Sequence, residues 1–139
     1  MKKLVIWVGS ALMFVGLIAG VVFASTSYLS NQKSKIKIVT TEECKNSRVT
    51  KHKATIKDDK VSPPNTIGKL CDTLTITNLD PQTREIAFGK HEKHIEYDGL
   101  VEEPVESGKS LTVTLNKTGD YIFHDHDDET VGGKFTVTE

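Results

Sequence analysis

Two short stretches place side chains where they could do chemistry. In "YIFHDHDDE", Tyr121 to Glu129, His124 and His126 stand one residue apart on what reads as a strand. Residues i and i+2 of a strand share a face, so the two imidazoles project together while Asp125 points the other way. In "GKHEKHIEYDG", His91 and His94 form an H-x-x-H in an expected loop after a strand ending near Phe88, and a turn there would bring both rings to one point. Four of the chain's five histidines thus fall into two pairs. Neutral imidazoles are common ligands of copper, zinc, nickel and iron, so the two pairs make a candidate metal site. Against it stands the ordinary reading, in which surface histidines recur by chance; one pair alone would carry little. His52, flanked by Lys51 and Lys53, reads as a solvated strand residue. Asp127, Asp128 and Glu129 read as a solvated turn.

The elements that would position these histidines are strands. "DTLTITN" sets Leu74 and Ile76 against Thr73, Thr75 and Thr77. "SLTVTLN" sets Leu111, Val113 and Leu115 against threonines, and "KFTVTE" does the same with Phe135 and Val137. Period-two alternation of this kind marks half-buried strands. "VTKHKATIK" (49–57) and "REIAFG" (84–89) are further candidates, with "SPPN", "LDPQ", "ESGKS" and "KTGD" as turn chemistry between them. Arg84, at the head of one strand, reads as solvated. Phe88, Tyr121, Phe123 and Phe135 read as core. No helical period of useful length follows residue 24, so the expected fold is all-β, a β-sandwich or small barrel.

The chain of 139 residues has room for one ordinary domain. A formal charge of -1 gives no basic face for phosphates, and nucleic acid is set aside as a partner. The N-terminus reads differently from the rest. After Lys2 and Lys3, Leu4 to Ala24 carries no charge and is long enough as a helix to cross a bilayer core of about 30 Å. Residues 1–24 are therefore expected to be a transmembrane anchor or uncleaved signal, although Val22-Phe23-Ala24 leaves cleavage open. Lys2 and Lys3 favour a cytoplasmic N-terminus, a bias weakened by Lys33, Lys35 and Lys37. The expected topology is a single pass at the cell membrane with the C-terminal domain extracytoplasmic. Residues 25–43 read as a polar tether and 44–139 as the domain. Cys44 and Cys71 are an even pair, and a disulfide between them is expected if the domain sits in an oxidising space; two free thiols are the alternative.

From about Val49 onward the sequence resembles the cupredoxins, the copper-binding Greek-key β-sandwiches. "VSPPNTIGKLCDTLTITNLD" is similar to that family's early strands, with Cys71 in the position of a glycine. "VESGKSLTVTLNKTGDYIF" is similar to the segment leading to its C-terminal ligand loop. In a blue-copper site a cysteine follows that second segment and an early histidine follows the N-x-D-x-x-P turn. Here Asp125 stands near the first position and Arg84 near the second, and Met1 and Met13 are the only methionines. A thiolate-to-copper site cannot be built from these residues. The pattern is instead similar to membrane-tethered bacterial cupredoxin-like proteins with H-x-x-H before the sixth strand and Y/F-H-D-H in the last hairpin. It also echoes the H-C-H of multicopper oxidases with Asp125 for the cysteine. The resemblance implies metal binding at His91, His94, His124 and His126, with copper as the ion and zinc as the other candidate. It implies copper handling or electron transfer with a redox or copper-transfer protein whose identity the sequence does not give. Two alternatives remain open. One is a thiolate-free copper oxidoreductase, for which the chain shows no separate acid/base pair. The other is a structural or adhesive surface β-sandwich without metal.

Overall fold

The computed structural model describes residues 36–139. The apolar run at 4–24 and residues 25–35 of the expected tether lie outside the described residues. Among the described residues no helix is long and apolar enough to cross a membrane. The compact unit runs Ile36–Glu139 and so starts ahead of the expected boundary at Cys44. Val39 N–H donates to Asn116 O at 2.8 Å and Thr118 N–H to Lys37 O at 2.9 Å, which ties the end of the expected tether to the body.

Among the described residues one short helix, α1 (Thr41–Cys44), precedes ten strands: β1 (Lys51–Lys57), β2 (Lys60–Ser62), β3 (Asn65–Lys69), β4 (Thr73–Asn78), β5 (Arg84–Lys90), β6 (Lys93–His94), β7 (Glu102–Val105), β8 (Ser110–Thr114), β9 (Gly119–Asp125) and β10 (Gly132–Thr138). They make two sheets. One has the order β2-β1-β4-β8; the other runs β3-β10-β9-β5, with β6 and β7 following one another along the free edge of β5. The pairs β1/β4 and β3/β10 are parallel and the rest antiparallel. The expected all-β sandwich is borne out.

Threonine alternation builds the first sheet as the sequence requires. Leu74 and Ile76 are fully buried opposite Val113 and Leu111, while Thr75 meets the Thr112 hydroxyl at 2.9 Å on the other face. The second sheet answers with Ile86, Phe88, Phe123, Phe135 and Val137. Tyr97 closes the core from the loop after β6, with ring centroids 4.7 Å from Tyr121 and 5.0 Å from Phe135.

Cys44 and Cys71 form a disulfide, their Cα atoms 5.1 Å apart. It fastens α1 to the turn between β3 and β4. Cys71 has φ +75°, a backbone conformation that favours glycine, which is the residue the resemblance places there.

Two expectations are corrected. His52 is only partly exposed, because its Nε2 lies 3.0 Å from Asp72 Oδ2, a carboxylate that also accepts from Thr50 N and Lys69 N. Arg84 is buried at 3 % exposure rather than solvated. Its guanidinium donates to Asp59, to Asp80 Oδ2 at 2.5 Å and to Asp125 Oδ2 at 2.8 Å, and a buried charge is tolerated when it is paired in this way.

Candidate metal centre

The H-x-x-H segment is a tight hairpin. Lys90 pairs with Lys93 and Gly89 with His94, leaving His91 and Glu92 as the turn. Gly89 has φ +93°, and a Cβ there would stand 2.8 Å from Lys93 O and 3.0 Å from Ile95 N. Only glycine lets the chain fold back this sharply and carry His91 and His94 over the sheet.

On the other edge of β5 the register pairs Ala87 with His124 and Ile86 with Asp125. His126 follows the end of β9 and its N–H donates to Glu85 O at 2.7 Å, which extends the pairing. Side chains alternate across a sheet, so Ala87, His124 and His126 share the face opposite to Ile86 and Phe88. The Gly89–His94 pair lies on this outward face too. Asp125 points inward, where Arg84 holds it and Glu85 N–H donates to Oδ1 at 3.1 Å. The positions where the blue-copper pattern has cysteine and early histidine thus form a buried ion pair between the sheets.

All four rings meet. The His126 centroid is 5.1 Å from that of His91 and 5.0 Å from that of His94; the His124 centroid is 5.7 Å from His91 and 5.3 Å from His94. One donor nitrogen each of His91, His94 and His126 lie within 4.8 Å of one another, so these three could hold a metal ion, and His124 stands outside that set. His94 Nε2, His124 Nε2 and His126 Nδ1 are buried without a hydrogen-bond partner. A buried polar atom left unpaired costs about 1–3 kcal/mol, and three in one cluster fit a site whose nitrogens are meant for a shared ion.

The electrostatics agree. Burial first, then the neighbouring His94, His91 and His126, hold the His124 imidazole below its ordinary value, which keeps it neutral and able to donate a lone pair. Beside it, burial and the charges of Glu102, Asp127 and Glu103 push the Glu85 carboxyl up. Glu85 adjoins the site through its backbone oxygen, which accepts from His126 N–H. Glu102 is the residue that sequence reasoning missed. "VEEP" has no spacing to the histidines, and only the pairing of Glu102 with Ala87 across β7 and β5 carries it to them.

Several solved structures share this arrangement of strands. A purple cupredoxin from Nitrosopumilus maritimus superposes with a TM-score of 0.54 at 21% identity, covering 63% of this chain and 99% of that one. A reduced mutant of amicyanin gives a TM-score of 0.53 at 16% identity, covering 75% of this chain and 99% of its own. Another amicyanin mutant, described as a reduced Cu(I) form at pH 4, gives 0.52 at 17% identity with the same two coverages. No protein-family model and no curated protein matches the sequence. The fold is cupredoxin-like, as the sequence resemblance implies, and the likeness at these identities is one of fold.

Proposed function

We propose that this chain is a membrane-anchored, extracytoplasmic cupredoxin-like domain that binds a copper ion through His91, His94, His124 and His126 and serves in copper handling or electron transfer. The observation that carries the reading is the convergence of two sequence-distant histidine pairs on one sheet face, with three buried nitrogens unpartnered. The description of one amicyanin neighbour as a Cu(I) form supports copper as the ion. An imidazole-rich set accepts both Cu(II) and Cu(I), and without a thiolate it lacks the intense blue absorption. Bound copper would supply a one-electron couple; the protein's part is to hold the rings in place from a hairpin and a strand that the disulfide-closed sandwich keeps rigid. The uncharged run 4–24 supports the anchor, and an even cysteine pair supports an oxidising compartment.

Titration of the purified chain with Cu(II), followed by spin resonance, tests the proposal. One equivalent is expected to bind to the native chain, with the signal lost in the double variant His124→Ala, His126→Ala and kept in His52→Ala. Equal binding in the double variant would remove the claim.

A second reading, a thiolate-free copper oxidoreductase, is favoured by an open groove of about 550 Å³ beside His91 and His124, bounded also by Lys90, Glu129 and Lys134. Turnover of a small reductant that is lost on chelation and restored by copper would select it.

A further inference from the structure

Glu102 stands in an unusual relation to two of the histidines. Its Oε2 lies 3.5 Å from His94 Nδ1, and its Oε1 lies 3.6 Å from His126 Nδ1. These separations are too long for N–H···O hydrogen bonds, which fall at about 2.7–3.2 Å. The second of them, Oε1 to His126 Nδ1, matches a different relation. Nitrogen and carboxylate ligands each bind an ion of zinc or copper type at about 2.0–2.2 Å, so two of them on one ion stand about 3.3–3.6 Å apart at tetrahedral to trigonal angles. The His126 nitrogen that faces Glu102 is itself one of the buried atoms without a hydrogen-bond partner, whereas His94 turns Nδ1 to Glu102 and leaves Nε2 unpartnered, so Glu102 orients the His94 ring and stands as a co-ligand to His126. Among the described residues no lysine or arginine pairs with the Glu102 carboxylate, so no other cation accounts for its position. The register explains how it arrives: Ala87 pairs with Glu102 on one side and His124 on the other, which sets the carboxylate on the same outward face as the rings.

We propose that Glu102 is a ligand of the metal centre, adding one anionic oxygen to the histidine set. This rests on the metal-binding reading above. The addition changes what the site prefers. A carboxylate is a hard, charged donor that stabilises a divalent ion more than a monovalent one, whereas imidazole serves both. The site therefore favours Cu(II) over Cu(I) and holds its couple at a lower potential than four imidazoles alone would.

The test compares the native chain with Glu102→Gln and Glu103→Gln, measuring Cu(II) affinity by competition with a chelator, Cu(I) affinity by competition with a chromophoric Cu(I) chelator, and the Cu(II) spin-resonance spectrum. Glu102→Gln keeps the size of the side chain and removes the charge. Glu103→Gln removes a neighbouring exposed charge and controls for the general field. The expected result is that Glu102→Gln weakens Cu(II) at least tenfold, weakens Cu(I) less than threefold, and changes the Cu(II) spectrum. A tenfold selective loss raises the one-electron potential by about 59 mV. Glu103→Gln is expected to leave both affinities within threefold. Equal losses for the two ions would overturn the proposal, since a residue that merely orients His94 serves both. So would an unchanged spectrum, or an effect of Glu103→Gln as large as that of Glu102→Gln. If the native chain binds neither ion, the metal-binding reading itself falls; if it binds Cu(II) and Glu102→Gln binds equally well, only the role of Glu102 falls.

Discussion

Arg84 Nη1 donates to Asp125 Oδ2 at 2.8 Å, on the inward side of the strand whose outward side carries His124 and His126. The same guanidinium also holds Asp80 and Asp59, so one side chain joins the β1–β2 turn, the β4–β5 loop, β5 and β9. A buried ion network of this kind contributes little compared with apolar residues of the same shape, but removing one partner strands the others. Arg84→Ala leaves the buried Asp80 and Asp125 without their counter-charge and is expected to cost about 3–5 kcal/mol in urea unfolding. Asp125→Ala leaves Arg84 two carboxylates and is expected to cost less. A midpoint for Arg84→Ala equal to that of the native chain would show that the network is relaxed in solution.

Acid should dismantle the same network. Burial alone would raise the Asp80 carboxyl, but hydrogen bonds from Arg84 and from the backbone of Asp58 and Asp59, with the Arg84 charge, outweigh it and hold Asp80 below its ordinary value. Asp72 is lowered too: burial opposes, and Lys69 N–H, His52 and Thr50 N–H prevail. A carboxyl depressed in the folded state binds its proton more readily in the unfolded one. Its stabilisation is present above the unfolded value of about 3.9 and is lost as the pH falls through the lower folded value. The thermal midpoint of the metal-free chain is expected to fall steeply below about pH 4. In Asp80→Asn that fall should be shallower, from a lower starting midpoint. Parallel curves for the two proteins would assign the acid transition to other groups.

Much of this molecule can be read from sequence, and the boundary between legible and hidden is physical. Leu74-Thr75-Ile76 and Phe135-Thr136-Val137 declare their strands because period-two alternation is local. The histidine pairs declare themselves because i, i+2 and H-x-x-H spacings are local too. Strands β6 and β7 stay hidden: β6 has two residues, and Pro104 in β7 argues against a strand anywhere but at an edge. The burial of Arg84 and the arrival of Glu102 at the histidines depend on which strands lie side by side. No spacing within either segment encodes that.

The disulfide and the backbone of Cys71 make separable contributions. Closing a loop with a sequence separation of 27 restricts the unfolded chain by about 3–4 kcal/mol in the entropic account. Cys71 meanwhile sits at φ +75°, where a non-glycine residue costs about 1–2 kcal/mol. Cys44→Ser with Cys71→Ser is expected to lose the bridge and keep the strain. Cys44→Ser with Cys71→Gly loses the bridge and relieves it, so it should unfold at higher urea than the double serine variant. The reverse order would mean that the Cys71 side chain contributes packing beyond the bridge.

The hairpin glycine offers a test of positioning that spares every histidine. In Gly89→Ala the new Cβ would meet the Lys93 carbonyl and the Ile95 nitrogen, both backbone atoms, so the hairpin must open to admit it. Opening carries His91 and His94 away from His124 and His126 while Phe88 and Phe123 remain packed in the core. Gly108→Ala is the matched control: its φ is +75°, but no atom lies within 4 Å of the added Cβ and the turn is remote from the histidines. Both variants bear a similar backbone cost of about 1–2 kcal/mol and should lose similar thermal stability from that source. Only Gly89→Ala is expected to weaken Cu(II) binding, by tenfold or more in the chelator competition. Equal binding in the two would mean that the rings find the ion without the hairpin to place them, and that β9 alone carries the site.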